Sequence, residues 1–273
     1  MLRSRQPGDY EQAVYIQRYI EEKPMTLHVG MTTSDDAILV GDVRVYADVT
    51  VELPQQGVRE SSVWHAEARS KITIADGGNI AIARAHDVTQ SRLVTKAIAD
   101  GLTRAYWNNP EEKLEELAAA ALAGEPIWRG VHCLVALRLP SPSLFKIECA
   151  KDPTTQQNVC VCHRGDGYMV AGDSHNPSTF FGTRYLQSDP ARVWTASELL
   201  PLAVQIVVDG GRVSSGPIGG LEIVCGSSSV PFHRLSVPER QAWSAEAMRR
   251  SEKIEKIVSS PFTATTAGAA NQQ

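Results

Sequence analysis

No stretch of these 273 residues is apolar for long enough to span a bilayer, and a formal net charge of -4 leaves no basic excess with which to hold nucleic acid. A Walker-type GxxxxGK[ST] loop is missing too, so any step needing ATP falls to a separate partner. The histidines show no ligand spacing, and no motif implies a metal or a cofactor. Aromatic residues are scarce at 6%, which leaves the core to the aliphatic side chains of a chain that is 42% hydrophobic. That is enough for one large domain or two small ones. The five cysteines are an odd number scattered from Cys133 to Cys225, and the N-terminus lacks the apolar core of a secretory signal. Together these point to a cytoplasmic chain. Cys160 and Cys162, alternating in "CVC", place both thiols on one strand face, which suits packing better than tetrahedral metal binding.

What is present is an ordered run of strand and helix patterns from Met25 onward. "TLHVGM" and "DAILVGDVRVYADVTVEL" are rich in β-branched residues and predict two strands of a hairpin, joined through "TTSD". After the polar stretch "PQQGVRESSVWHAEARS" comes a second hairpin, "KITIADGGNIAIARA", turned by "DGGN". Helical spacing then takes over in "DVTQSRLVTKAIADGLTRAYW" and "NNPEEKLEELAAAALAGEP", the latter closed by Gly124. Strand patterns return at "VHCLVALRL", "LFKIEC", "NVCVCH" and "GYMVAG", with "RGDG" as a turn. A third helix opens at the Thr195 to Glu198 capping box and carries Pro201, and "LEIVC" and "FHRL" follow as strands. A second capping box, Ser236 to Glu239, starts a C-terminal helix over 236–258, and the tail 259–273 lacks periodicity and reads as disordered. The class is α+β, with two antiparallel sheets faced by helices. Periodicity alone leaves open whether they stack in four layers or form a plainer sandwich.

One set of residues carries chemistry. Thr26, Gly30 and Asp42, then Arg44, then Lys71 heading the "KITIADGGNIAIA" hairpin, resemble the front half of proteasome β-type subunits. The whole span from Met25 to Ile257, with its ending "RLSVPERQAWSAEAMRRSEKI", is most similar to the bacterial Anbu type. The resemblance implies an N-terminal-nucleophile hydrolase: a four-layer αββα sandwich whose domain, 25–235, begins with a catalytic threonine. A threonine hydroxyl is a poor nucleophile at its own pKa, and a free α-amine can take its proton. A lysine ammonium nearby favours the alkoxide, and an aspartate orients and balances the lysine. Thr26 is then nucleophile and base, Lys71 the activator and Asp42 its orienter, while Arg44 shares the aspartate or lines the cleft, which His28 also borders.

The same resemblance implies further positions. Gly182-Thr183 in "TFFGTRY" stands for a Gly-Ser element, Asp209 with Ser214 or Ser215 for an acid and serine that support the amine, and Ala83 for the residue whose N–H helps stabilise the oxyanion. It also implies peptide or unfolded-protein substrates, a homo-oligomeric ring or open ring, and a separate ATPase for unfolding. Residues 1–24 must be gone if Thr26 is to carry a free amine. They are a self-removed propeptide or lie upstream of a true start at Met25. The alternative is a permanent extension on a catalytically inactive ring subunit, since "DYEQAVYIQRYIEE" has amphipathic helical character.

Overall fold

The computed structural model describes residues 26–43, 45–52, 59–66, 70–86, 88–125, 130–173, 175–188, 192–213 and 220–259. Among the described residues, twelve strands and five α-helices are α+β, with two five-stranded antiparallel sheets and a separate two-stranded ribbon. The strands are β1 (Leu27–Thr32), β2 (Asp36–Gly41), β3 (Val45–Glu52), β4 (Arg59–Ala66), β5 (Ile72–Ala75), β6 (Ile80–His86), β7 (Val131–Leu137), β8 (Ser143–Lys151), β9 (Asn158–Gly165), β10 (Tyr168–Gly172), β11 (Glu222–Ser227) and β12 (His233–Arg234). The helices are α1 (Val88–Gly101), α2 (Glu111–Ala121), α3 (Pro177–Gln187), α4 (Ala196–Val213) and α5 (Val237–Ser259).

The first sheet runs β10-β1-β2-β11-β12 and the second β5-β6-β7-β8-β9. Alternation along each strand divides the apolar side chains between two faces. In β1 the odd positions Leu27, Val29 and Met31 join Ala203, Val204 and Val207 of α4 in one cluster. In β6 the even positions Ile80 and Ile82 join Val94 and Ile98 of α1 and Leu114 of α2 in another. The opposite faces meet in a third cluster, where Leu39 of β2 and Val224 of β11 lie with Ala81 and Ala83 of β6 and Leu144 of β8. Its many alanines let the sheets approach closely.

The ends of α4 and α5 follow the expected chemistry. Glu198 accepts from the Thr195 N–H at 3.0 Å and Glu239 from the Ser236 N–H at 2.8 Å; the reciprocal bond to the cap hydroxyl is made at Ser236, while the Thr195 hydroxyl donates to Glu198 instead. Four features differ from the sequence reading. "DAILVGDVRVYADVTVEL" is two strands, because the chain leaves the first sheet after Gly41 and β3 pairs with β4 instead. β4 itself lies within the stretch taken as merely polar. "PSTFFGTRYLQ" is helix α3, opened by Asn176, whose side chain accepts from the Ser178 N–H. Cys149 and Cys160, directly opposed on β8 and β9, are joined as a disulfide, which the reading of scattered cysteines in a reducing compartment did not anticipate. Residues 1–24 and the tail from 260 lie outside the described residues. Among the described residues no helix is long and apolar enough to cross a membrane.

Candidate active site

Thr26 immediately precedes β1, and its neighbour Leu27 is tied to Asp42 in both directions. Asp42 N–H donates to Leu27 O at 3.1 Å, one more rung of the β1–β2 ladder, while Leu27 N–H turns to Asp42 Oδ1 at 2.8 Å. The other carboxylate oxygen, Oδ2, accepts from Lys71 Nζ at 2.8 Å. The same ammonium reaches Thr26 Oγ1 at 3.1 Å. Asp42 and Lys71, 16 and 45 positions beyond Thr26 in sequence, thus meet beside it, the lysine ammonium touching both the aspartate and the hydroxyl.

The burial of this group sets its electrostatics. Asp42 is fully buried and Lys71 nearly so. Burial pulls the lysine below its usual range because a buried ammonium loses its hydration, and the Asp42 charge and hydrogen bond oppose that shift. Arg84 pushes in the same direction as burial, and Glu222 against it. The result is an ammonium held against a hydroxyl in a place with little water to screen it.

The far side of Thr26 is closed by the turn after β10. Asp173 N–H donates to Thr26 O at 2.8 Å. Gly172 has φ of +95°, and a Cβ there would lie 1.8 Å from Thr26 O, so no other residue fits. Asn176 Nδ2 continues the connection to Asp173 Oδ2 and to Gly210 O of α4, each at 3.3 Å. The glycine and aspartate that abut Thr26 are therefore Gly172-Asp173, a pair the sequence reading passed over. Glycine closing a strand was the available signal.

Other candidates sit elsewhere. Thr183 is within α3, and its hydroxyl donates to Thr179 O at 3.0 Å. Asp209 of α4 accepts from Gln205 Nε2 at 2.9 Å and from the Ser251 hydroxyl of α5, a helix-to-helix tie. The Ala83 side chain belongs to the cluster between the sheets. Because Arg84 N–H donates to Lys71 O at 3.1 Å, ladder alternation turns the N–H of Ala83 towards β7, opposite Leu134. His28 is fully buried, and its Nε2 lies 2.8 Å from Arg84 O, so it joins the sheets rather than bordering a cleft. Its ring needs Gly41 beside it, since a Cβ there would be 1.9 Å from Nδ1. Arg44, Ser214 and Ser215 lie outside the described residues. Cys162 packs against the α1–α2 cluster, and among the described residues no group of three or more His, Cys, Asp or Glu could hold a metal.

Compared with known proteins, the chain matches no protein-family model and no curated protein at a significant level.

Proposed function

We propose that this chain, once it begins at Thr26, is a threonine-type peptidase of the N-terminal-nucleophile class, with the two sheets and their helices forming its four-layer αββα sandwich. The observation that carries the reading is the shared ammonium: Lys71 Nζ lies 3.1 Å from Thr26 Oγ1 and 2.8 Å from Asp42 Oδ2. A lysine that served only to neutralise a buried aspartate has no need to touch a threonine just ahead of a strand.

The chemistry follows from the three groups. The freed α-amine of Thr26 takes the hydroxyl proton, directly or through water, as Oγ1 attacks the carbonyl carbon of a peptide bond. The Lys71 ammonium stabilises the negative charge developing on Oγ1, and Asp42 keeps that ammonium charged and aimed. Collapse of the tetrahedral intermediate expels the amine product, which takes the proton held by the α-ammonium, leaving an acyl ester on Thr26 and the α-amine neutral again. Water, deprotonated by the same α-amine, then hydrolyses the ester. Peptides or unfolded proteins are the substrates, in a cytoplasmic homo-oligomeric ring or open ring that a separate ATPase serves.

The test is the intact mass of the purified full-length chain beside Thr26→Ala. A wild type that starts at Thr26 with a variant that retains residues 1–24 establishes self-cleavage by the threonine. If both start after Met25, hydrolysis of fluorogenic peptides by wild type and not by Thr26→Ala carries the reading. Retention of the whole extension by both means that Thr26 has no free amine, and the chain is then an inactive ring subunit.

A further inference from the structure

We propose that Glu222 is a positioning residue for Lys71, holding the backbone of residues 70–72 so that the lysine side chain crosses from the second sheet to Thr26 and Asp42. The proposal rests on the peptidase reading for the consequence of that crossing, and on geometry alone for the crossing itself.

The β5–β6 register pairs Ile72 with Ala83, so Lys71 stands opposite Arg84. One of the two ladder bonds expected there is made, from Arg84 N–H to Lys71 O at 3.1 Å. The other is replaced on both sides. Lys71 N–H donates to Glu222 Oε2 at 3.0 Å, and Arg84 O is taken by His28 Nε2 at 2.8 Å. Both replacing groups belong to the first sheet, Glu222 to β11 and His28 to β1. The start of β5 is thereby drawn off its own sheet and fastened to the facing one, which is where Thr26 and Asp42 are.

Glu222 is 1% exposed in a strand whose neighbours Leu221, Ile223 and Val224 are apolar, a costly place for a carboxylate unless every lone pair is used. Three contacts go to residues 70–72 and one to Arg234. Oε2 also accepts from Ile72 N–H at 3.2 Å, and Oε1 lies 2.5 Å from Ser70 Oγ and 2.6 Å from Arg234 Nε of β12. Arg234 Nη2 closes the clamp on Ser70 Oγ at 2.8 Å and Ile72 O at 2.6 Å. Lysine has four rotatable side-chain bonds, so an ammonium fixed only at its tip by Asp42 would sample several geometries against Thr26 Oγ1. Fixing the backbone as well leaves one.

Glu222 also acts on the ammonium through its charge. The groups facing Lys71 are Thr26 ahead of β1, Asp42 after β2, Arg84 on β6 and Glu222 on β11, with Arg234 of β12 behind Glu222 and His28 on the Arg84 carbonyl. Replacing Glu222 by glutamine removes a charge that favours the ammonium, whereas replacing Arg234 by glutamine unmasks that charge. The two variants therefore move Lys71 in opposite directions, which a merely structural role does not.

The experiment titrates the Lys71 ammonium by NMR in the full chain carrying isotope-labelled lysine, the signal assigned with Lys71→Arg, in wild type, Glu222→Gln and Arg234→Gln. In parallel, chains beginning at Thr26 are treated with a peptidyl β-lactone and the rate of Thr26 acylation is followed by mass. The expected result is a Lys71 titration lowered by Glu222→Gln and raised by Arg234→Gln, with acylation by Glu222→Gln slowed about tenfold or more and reversible binding of a peptide aldehyde changed far less. If Glu222→Gln does not fold, a raised Lys71 titration in Arg234→Gln supports the proposal and an unchanged one overturns it. Folded variants that both leave the titration and the acylation rate unchanged overturn it as well. A wild type that is never acylated while the titrations move as stated retires the peptidase reading and keeps Glu222 as the residue that places Lys71.

Discussion

At the scale of single residues, the site is an ion pair with a hydroxyl attached, and its members are not interchangeable. Asp42→Ala leaves the Lys71 ammonium buried without its partner, and removing one half of a buried pair costs about 3–5 kcal/mol. Urea unfolding of that variant measures the loss. On the proposed mechanism, Lys71→Met in a chain beginning at Thr26 removes the charge that favours the attacking oxygen, and the expected outcome is a kcat about 10²-fold or more lower with KM little changed. The pH dependence has a defined sign. If Thr26 acts as proposed, activity needs its freed α-amine neutral, so it rises through the ordinary α-amino range near about 8. It needs Lys71 charged, and burial has lowered that group, so activity falls again at a pH below the ordinary lysine value of about 10.4. A bell-shaped profile of kcat/KM is the expected outcome, and a plateau continuing past the lysine range contradicts the ammonium's role. The free thiols are a separate matter. Burial pushes Cys133, Cys162 and Cys225 each up to about 12, so none reacts readily with iodoacetamide at neutral pH in the folded protein.

At the scale of elements, the joint between the sheets is made by few side chains with little tolerance. Gly41→Ala drives a methyl into the His28 ring, which is itself bonded to Arg84 O, and overpacking of this kind costs about 1–3 kcal/mol. The double variant with His28→Ala recovers part of that loss if the clash is the cause, and a double-mutant cycle by denaturant unfolding reads the coupling. Helix α5 depends on its start rather than on the joint. Ser236→Ala breaks the capping box with Glu239 and costs about 1 kcal/mol, seen as a lower Tm with the site unaffected. The edge of the second sheet is managed in a similar local way. Glu115 of α2 accepts from the Cys162 N–H at 2.7 Å, occupying a backbone donor that strand β9 would otherwise offer to another chain.

At the scale of the whole molecule, three apolar clusters lie in series: α1 and α2 on the second sheet, the two sheets on each other, and the first sheet against α4, with Ala247 of α5 joining the same cluster. The middle one positions the site, because Lys71 reaches Thr26 only while the sheets stay in register. Leu144 stands in that cluster, and its methyl groups lie where a side chain on Gly30 would have to go. Leu144→Ala leaves a cavity there and lowers stability by about 2–5 kcal/mol. It also loosens the Lys71 to Thr26 contact, so kcat falls in this variant although the substituted residue touches none of the reacting atoms. A variant that loses the stability but keeps full kcat shows that the site does not depend on the sheet-to-sheet contact.

The sequence by itself determined the α+β class, four of the five described helices and most strand positions, since 2.0 and 3.6 periodicities, turn glycines and capping boxes are local signals. It also singled out Thr26, Asp42 and Lys71, though only through the resemblance of their types and order, because nothing local relates residues so far apart. The tertiary structure decided that these three meet at hydrogen-bonding distance. It decided as well that Thr183 and Asp209 serve helices, that His28 is a joint, that Gly172 and Asp173 abut the threonine, and that Glu222 holds the backbone at Lys71. The physical reason is that a side chain's partners are set by which strands face each other across the inter-sheet cluster. Glu222 within "LEIVC" carried a trace of this in advance. A carboxylate in an apolar strand must be paired, and only the packing of β11 against the start of β5 says with what.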